Sequence, residues 1–530
     1  MDLLLHKFFW SASLAKKSGI DLNDPRRVAA SIVYALHENT KSGHCYCKLD
    51  ALEETIKRLI KDIVISPEII ADKLVELVKE NVIKILDGTD VYLSTFLYEE
   101  KFTAKIIREL LGETSRLYDK AFVDDCIRYA ETCSGYALEE RQKDAIHCSL
   151  RKCFSVITGG PGTGKTSVIK TIITSFVKLG GKKKNVILAA PTGRASRRMS
   201  EATGCPSQTI ASLCIKMKML EDEADNEPYL VIIDEASMID IDLSYKLMTA
   251  IADLKKHCKG LQMIMVGDID QLPPIGAGNM FRDLVKSPVI PTTTLTFSHR
   301  FKGSIATNAS RVNHGYGVSS FEFDQYFRYT KTDKSTSQDA VVKAYLEALD
   351  RYSAKDVQII VPMKTRSTTA ANELNMIIRD IVNPRENTKC FAVNAQKDFR
   401  VNDRVMQTVN DKDLRINNGD CGTVTGIDDG CLVVEFDDGK VVEFTSRNAT
   451  SLILAYAITI HKSQGSEYEC VITCFTNEHY VMLQRNLIYT AFSRAKTEMI
   501  VFGEAQAIAT AAQNIAPISR NTRFGEWLVC

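Results

Sequence analysis

Long hydrophobic runs, excess charge, proline and tryptophan are all scarce in this sequence. No stretch of the 530 residues approaches the roughly 18 apolar residues of a membrane helix, and residues 1–10 are too short and too quickly polar for a secretory signal. We therefore expect a soluble, intracellular protein with no membrane partner. Because 67 Lys and Arg face 66 Asp and Glu, a polyanionic partner needs a local basic groove. With 45% hydrophobic residues and 13 prolines, the chain is not mainly disordered.

The 15 cysteines do not form the dense pattern of a disulfide framework. They stand mostly alone in apolar segments, as Cys148 and Cys470 do, which is typical of free thiols in a reducing compartment. His44, Cys45 and Cys47 are closer together and resemble half of a zinc site. Four ligands are needed, however, and no second pair with matching spacing stands nearby. We favour free thiols, with zinc as the alternative.

The first part of the chain is predicted to be helical. Apolar residues recur three and four positions apart in 52–60 and 69–82, and a turn at 87–90 precedes a short strand at 91–93. Helices followed by a small hairpin suggest a winged-helix-like domain within residues 1–125. A helical appendage with a purely structural role is the alternative.

The fold class predicted for the rest is α/β. Short β-rich runs, each followed by a turn and a helix, at 154–158, 186–190, 230–233 and 263–266 indicate a parallel sheet in a first lobe over 126–290. Similar runs at 357–361, 471–475 and 499–502 predict a second lobe from 291–400 and 451–530. Between them, 401–450 carries hairpin turns and reads as a small inserted β-barrel.

A phosphate-binding loop follows the first strand of the first lobe. Its glycines let backbone N–H groups converge on phosphate oxygens at a helix N-terminus, Lys165 places a charge on the β and γ phosphates, and the Thr166 hydroxyl can bind Mg²⁺. The pattern consists of Gly159, Gly160, Pro161, Gly162, Thr163, Gly164, Lys165 and Thr166. We expect ATP and Mg²⁺ as ligands.

Polar side chains follow two further strands of this lobe. Asp234 and Glu235 come after a four-residue apolar run, and Gln271 follows the next strand. Because ligands of open α/β sheets bind at the carboxyl ends of strands, we expect Asp234 to hold Mg²⁺ and Glu235 to orient the attacking water. Gln271 is our candidate sensor of the γ-phosphate.

Arginines in the second lobe complete this expected site. Charge that develops on a γ-phosphate is stabilised by an arginine that reaches in from an opposing lobe. Arg300 and Arg494 both lie in the predicted second lobe. If they act only when the cleft closes, ATP hydrolysis is coupled to motion.

The ordered motifs resemble those of superfamily 1 helicases, and the last two resemble the RecD-like branch. They are GGPGTGKT, LAAPTGRAS, IIDEASM, GDIDQLPP, AYAITIHKSQGSE and YTAFSRAK, within about 138–503. The resemblance implies two RecA-like lobes, a small barrel inserted in the second, and ATP-driven translocation on single-stranded DNA in the 5′-to-3′ direction. A weaker similarity to the N-terminal region of the same group rests on residues 24–27, 35–36, 43–44, 91–93 and 99–100.

Further roles follow from this resemblance alone. Gln142 matches the glutamine that contacts adenine, and Gly465 falls in a motif beside the nucleotide. Two motifs are implied to contact the DNA strand: Pro191, Thr192 and Arg194, and then Thr459, His461 and Lys462. The segment 214–228, where relatives carry a strand-splitting hairpin, is short and acidic here. Duplex separation is therefore a weaker expectation than translocation.

The combined prediction is an ATP-dependent 5′-to-3′ DNA helicase that acts on single-stranded and tailed duplex DNA in replication, recombination or repair. Its protein partners are not identified by the sequence. Three alternatives stay open: an ATPase that translocates without unwinding, a superfamily 1 RNA helicase, and a subunit that only binds nucleotide.

Overall fold

The computed structural model describes residues 25–60, 66–113, 120–135, 137–217, 227–296 and 303–530. None of the helices in these ranges is both long enough and apolar enough to cross a membrane.

The N-terminal part alternates helices with a three-stranded antiparallel sheet of order β1-β3-β2. The expected helices and short hairpin are present, and the winged-helix-like arrangement stays a prediction. Its elements are α1 (Pro25–Lys41), β1 (Tyr46–Lys48), α2 (Leu49–Leu59), α3 (Pro67–Lys79), β2 (Ile83–Leu86) and β3 (Asp90–Leu93), followed by α4 (Ser94–Gly112) and α5 (Lys120–Ser134).

The first lobe is built on a parallel sheet with the order β6-β5-β7-β8-β4-β9. Helices connect its strands, and the strands are buried. Its elements are α6 (Glu140–Arg151), β4 (Phe154–Gly159), α7 (Lys165–Lys178), β5 (Val186–Ala190), α8 (Gly193–Thr203), β6 (Ser207–Thr209), α9 (Ile210–Met217), β7 (Pro228–Ile233), α10 (Ile241–His257), β8 (Gly260–Gly267), α11 (Met280–Lys286) and β9 (Thr292–Leu295).

The second lobe is also built on a parallel sheet, with the order β10-β21-β20-β11-β19. Its elements are α12 (Ile305–Asn313), β10 (Phe327–Lys331), α13 (Ser337–Leu349), β11 (Val357–Val361), α14 (Ala371–Val382), β19 (Ala457–Thr459), β20 (Tyr468–Phe475), α15 (Arg485–Phe492), β21 (Ala495–Gly503), α16 (Ala505–Gln513) and α17 (Phe524–Val529).

The insert interrupts the second lobe between α14 and β19. A hairpin precedes an antiparallel five-stranded sheet of order β17-β16-β15-β14-β18, whose apolar side chains form a core of their own. The strands are β12 (Cys390–Asn394), β13 (Lys397–Arg400), β14 (Arg404–Gln407), β15 (Cys421–Asp428), β16 (Cys431–Phe436), β17 (Val441–Phe444) and β18 (Leu452–Leu454). The α/β fold class with two parallel-sheet lobes and a small β insert is confirmed.

Two of the expected boundaries differ from the arrangement of the elements. The expected end of the first lobe at residue 290 precedes β9, which pairs with β4 and buries Leu295 in the core of that lobe. The expected end of the N-terminal domain at residue 125 falls inside α5, which packs against α7 through Val123 and Ile127. In both places apolar side chains extend the first lobe, because they complete its core.

The C-terminal segment returns to the N-terminal part of the molecule. α17 packs against α4 and α11, with Phe524 and Leu528 in the same core as α4. Just before it, the backbone N–H of Asn521 donates to His44 Nδ1 at 3.0 Å. Cys45 packs in the core shared with the first lobe, and Cys47 in the core of the N-terminal helices. No cluster of three or more metal-binding side chains occurs among the described residues, and both cysteines are free thiols.

Candidate nucleotide site between the two lobes

The phosphate-binding loop joins β4 to α7 at the carboxyl edge of the first sheet. Gly162 and Gly164 have φ values of 78° and 82°, a left-handed conformation that glycine adopts without steric cost. A Cβ on Gly164 would lie 2.3 Å from the amide nitrogen of Gln142, so the position also requires the absence of a side chain. Lys165 donates from Nζ to the carbonyl oxygens of Gly159 and Gly160 at 2.7 and 2.9 Å. The loop therefore has the curvature and the charge that a phosphate group requires.

Gln142 lies against this loop, on the first turn of α6. Its Nε2 donates to the carbonyl oxygen of Thr163 at 3.1 Å, and its Oε1 accepts from the backbone N–H of Glu139 at 3.1 Å. The side chain is buried and also borders the cavity described below. Contact with adenine stays a prediction.

Asp234 and Glu235 follow β7 at the same edge of the sheet. The backbone N–H of Glu235 donates to Asp234 Oδ1 at 2.9 Å, and Glu235 itself has a φ of 51°. Burial, and next the charge of Glu235, raise the pKa of Asp234 to about 6, against the opposing effects of Lys165 and Arg198. Its surroundings therefore disfavour the charged form of Asp234.

Gln271 follows β8, in a segment that begins with the buried Asp268. Asp268 Oδ2 accepts from Gln271 Nε2 at 3.2 Å, and Oδ1 accepts from the backbone N–H of Asp270 at 3.0 Å. Burial raises the pKa of Asp268 to about 6, although Lys165 opposes this shift. Gln271 borders the cavity, and its role as a sensor of the γ-phosphate stays a prediction.

Arg494 approaches from the second lobe, where it follows α15. Its side chain is 2% exposed. It donates to the carbonyl oxygen of Ser466 at 3.1 Å, to Ser493 Oγ at 3.0 Å and to the carbonyl oxygen of Thr490 at 3.2 Å. A buried guanidinium held by neutral acceptors keeps its positive charge available to a nearby anion.

A cavity of about 490 Å³ brings these groups together between the lobes. Eleven of the predicted site residues border it: Gln142, Pro161, Gly162, Gly164, Lys165, Thr166, Asp234, Glu235, Gln271, Gly465 and Arg494. Gly159, Gly160 and Thr163 belong to the same loop but do not border the cavity. Arg300 lies outside the residues that the structure describes.

Two charged residues that border the cavity were not identified as site residues by the sequence analysis. Arg198 on α8 and Glu467 after the His-Lys-Ser-Gln-Gly motif form an ion pair across the lobes at 2.5 Å. Arg198 lies close after one of the sequence motifs, Glu467 ends another, and their opposite charges could have suggested an ion pair. Because the two residues lie far apart in the sequence, no local pattern could have shown that they pair.

The residues predicted to contact DNA lie outside this cavity. Thr192 caps α8 by accepting from the backbone N–H of Ala195 at 3.3 Å, and Arg194 donates to the Tyr468 hydroxyl at 3.4 Å. Arg194 thus faces the second lobe, and its predicted contact with DNA stays untested. Pro191 stands between β5 and Thr192.

A separate cationic cluster lies at the second lobe. His461 and Lys462 follow β19, which ends at Thr459. Burial, and next the charge of Lys364, lower the pKa of Lys462. The same two causes lower the pKa of Lys397 on the insert. Lys364 therefore repels both Lys462 and Lys397, and such a concentration of positive charge suits a polyanion.

Three sequence families match this chain. Residues 137–326 match the AAA domain. Residues 374–436 match the ATP-dependent RecD-like DNA helicase SH3 domain, which agrees with the predicted small β insert. Residues 454–502 match the UvrD-like helicase C-terminal domain.

Individual relatives extend these matches over the whole chain. The ATP-dependent RecD2 DNA helicase of Deinococcus radiodurans is 31% identical over 534 residues, which cover 98% of this chain and 71% of the relative. The RecBCD enzyme subunit RecD of Mycolicibacterium smegmatis is 26% identical over 418 residues, which cover 71% of this chain and 73% of that subunit. The crystal structure of Bacteroides Pif1 bound to ssDNA aligns with a TM-score of 0.45 at 21% identity, over 69% of this chain and 92% of that one.

Proposed function

Because this chain belongs to the RecD2-like family of ATP-dependent DNA helicases, we propose that it moves in the 5′-to-3′ direction along single-stranded DNA and separates tailed duplexes as it moves. As a member of this family it hydrolyses ATP. We place its work inside the cell, in DNA replication, recombination or repair, with protein partners still to be identified.

One observation carries the proposed mechanism: the cavity is bordered by both lobes and has charged side chains on each wall. Lys165 and Glu235 lie on the first-lobe wall, and Arg494 lies on the second-lobe wall. A ligand that binds both walls favours the closed arrangement of the lobes, and its hydrolysis removes part of that preference. A translocating motor requires such a difference in the preferred arrangement of the lobes before and after hydrolysis.

The residues on the first wall suit a triphosphate with Mg²⁺. Thr166 offers a hydroxyl and Asp234 a half-buried carboxyl group, which together form the sparse oxygen set that Mg²⁺ accepts beside phosphates. When bound there, Mg²⁺ would neutralise charge on the phosphate oxygens. Lys165 binds the β and γ phosphates, and Glu235 holds the attacking water and accepts its proton.

The remaining groups read the state of the nucleotide. Gln271 donates its amide to the γ-phosphate, and this hydrogen bond is lost after hydrolysis. Arg494 stabilises the charge that develops during transfer. Gln142 contacts the adenine ring. Arg300 is the second arginine that we assign to the phosphates from the motif alone.

The DNA strand is held by two motifs and the nearby lysines. We assign the strand contacts to the motif after β5 and the motif after β19, with Lys364 and Lys397 as additional phosphate ligands. The charge of Lys364 disfavours the charged forms of Lys462 and Lys397, and a phosphate backbone bound there relieves this repulsion. The assigned motif residues are Pro191, Thr192 and Arg194, and Thr459, His461 and Lys462.

Direction and strand separation are tested together with tailed duplexes. We expect the enzyme with ATP to separate a duplex with a 5′ single-stranded tail and to leave one with a 3′ tail intact. An all-RNA duplex with the same 5′ tail tests the choice of nucleic acid. Unwinding of the 3′-tailed duplex would overturn the direction. DNA-stimulated ATP hydrolysis without unwinding of either DNA would instead support a translocase that does not separate strands. The short segment at 214–228 is compatible with this alternative. Its residues 218–226 lie outside the ranges that the structure describes.

A further inference from the structure

Helix α15 contributes three polar side chains near the cavity, in addition to Arg494, which follows the helix. Asn486, Tyr489 and Thr490 are spaced three and four residues apart, so they share one face of the helix. All three contact the segment after β8 that contains Gln271. This face is therefore the place where the second lobe touches the predicted phosphate sensor.

Asn486 and Thr490 hold the backbone of that segment. Asn486 Nδ2 donates to the carbonyl oxygens of Asp270 and Gln271 at 2.8 and 2.9 Å. The backbone N–H of Leu272 donates to Thr490 Oγ1 at 3.0 Å. The backbone of the sensor segment is consequently fixed to α15 rather than to its own lobe alone.

Tyr489 reaches the side-chain chemistry of the sensor through Asp268. The Tyr489 hydroxyl donates to Asp268 Oδ2 at 3.0 Å, and the same oxygen accepts from Gln271 Nε2 at 3.2 Å. Asp268 is 1% exposed and Tyr489 is 5% exposed. A hydrogen bond to a carboxylate in such a dry environment is strong, and the loss of one partner changes the other.

Tyr489 also lies against the phosphate-binding loop. Its hydroxyl oxygen is 3.0 Å from the position that a Cβ on Gly160 would occupy. Burial, and next the charge of Asp268, raise the pKa of Tyr489, so the phenol stays protonated and remains a donor. One side chain of the second lobe thus meets both nucleotide-binding segments of the first.

We propose that Tyr489 is a positioning residue that couples Gln271 to Arg494 through Asp268. The Gln271 amide donates either to Asp268 or to the γ-phosphate. When it turns to the phosphate, Asp268 Oδ2 keeps Tyr489 as its remaining side-chain donor, and the contact with α15 tightens. Arg494 follows α15 directly, so it is placed for transfer only when the phosphate is sensed. This proposal rests on the proposed role of Gln271.

The test is Tyr489→Phe, which removes one hydroxyl and leaves the ring in place. Tyr456→Phe is the matched control, because Tyr456 is equally buried, lies in the same lobe and donates to the buried Asp403 at 3.1 Å. We expect Tyr489→Phe to lower kcat for ATP hydrolysis about tenfold and to leave KM for ATP within about twofold. Tyr456→Phe should leave kcat unchanged, and melting temperatures for both variants show whether stability explains any loss.

A second measurement tests the coupling itself. If the three groups act in series, the combined variant Gln271→Ala with Tyr489→Phe should hydrolyse ATP no more slowly than Gln271→Ala alone. The proposal would be overturned if the combined variant lost activity by the product of the two single-variant losses. Equal turnover in Tyr489→Phe and Tyr456→Phe would also overturn it. The variants can be compared by ATP hydrolysis in the absence of DNA. If DNA fails to stimulate the wild-type enzyme, that result therefore contradicts the proposed function and not the proposed role of Tyr489.

Discussion

The two lobes share a parallel-sheet architecture but contact the cavity by different means. In the first lobe, β4 leads into a glycine loop whose backbone curves around a space for phosphate. In the second lobe, β11 leads into Pro362, Met363 and Lys364, and no glycine follows directly. The second lobe reaches the same cavity with a side chain, Arg494. On the proposed assignment, the same fold therefore binds phosphate with its backbone in one lobe and responds to it with an arginine side chain in the other.

This difference has a physical basis. Backbone N–H groups are fixed in place by the helix that follows them, so a phosphate bound by the first lobe cannot move relative to that lobe. An arginine side chain contributes only while its lobe is close enough for it to reach. On the proposed assignment, the first lobe binds and senses the phosphates, and the second lobe supplies Arg494. ATP hydrolysis can then produce relative motion of the two lobes.

The largest expected change in ATP hydrolysis comes from replacing Lys165, which follows β4, and it is compared with the replacement of Lys364, which follows β11. Lys165→Ala should lower ATP hydrolysis by about 10³-fold or more, because the loop loses the cation that we assign to the β and γ phosphates. Lys364→Ala should leave ATP hydrolysis at saturating DNA within about twofold and weaken single-stranded DNA binding several-fold. Steady-state ATPase assays and DNA titrations at two salt concentrations check both. Equal loss of ATP hydrolysis in the two variants would remove the distinction between the lobes.

The next effect contrasts the carboxylates that the two lobes place on the cavity. Glu235→Gln should bind a fluorescent ATP analogue normally and lower kcat by about 10²- to 10³-fold, because the amide cannot accept a proton from water. Glu467→Gln removes the charge that faces Arg198 from the second lobe, and we expect a loss of less than about tenfold. Normal turnover in Glu235→Gln would show that the base lies elsewhere.

The smallest effect concerns stability at the junction of the first lobe with the ends of the chain. Burial, and next the charge of the fully buried Glu100, raise the pKa of Asp283 to about 7. The folded protein therefore binds this proton more tightly than the unfolded chain does, and stability falls as the pH rises from about 4 to 7. Asp283→Asn should raise the free energy of unfolding by about 2 kcal/mol at pH 8, with a smaller gain at pH 5.

Denaturant unfolding at both pH values checks this expectation. Asp253→Asn is the control, because Asp253 pairs with Lys256 on the surface of α10 at 2.7 Å. A gain that does not depend on pH would mean that the buried charge of Asp283 is not its cause. ATP hydrolysis should be unaltered, since the junction does not border the cavity between the lobes.

Much of the architecture was predictable because local patterns were strong. The apolar runs at 186–190 and 357–361 are β5 and β11 without change, and the glycine loop stands between the strand and helix that its pattern requires. The expected boundaries at 125 and 290 differ from the extent of the first core, because the place of α5 and β9 depends on which core they join. Nothing in their own residues identifies that core.

The half-site His44, Cys45 and Cys47 shows the same limit. Its spacing alone was compatible with metal binding, yet the two thiols pack in different cores and His44 accepts a hydrogen bond from Asn521. That partner lies 477 residues along the chain. A short motif cannot indicate such a neighbour.

The amino-acid sequence by itself determined the strands, the glycine loop and the order of the motifs, because periodicity and backbone conformation depend on residues close together in the chain. Only the tertiary structure decided which wall of the cavity each side chain occupies and that Tyr489 shares Asp268 with Gln271, across 221 residues of sequence. Such contacts depend on how two lobes with separate cores meet. A hydrogen bond between the lobes requires a donor–acceptor distance that is correct to within a few tenths of an ångström, and no local sequence pattern specifies such a distance.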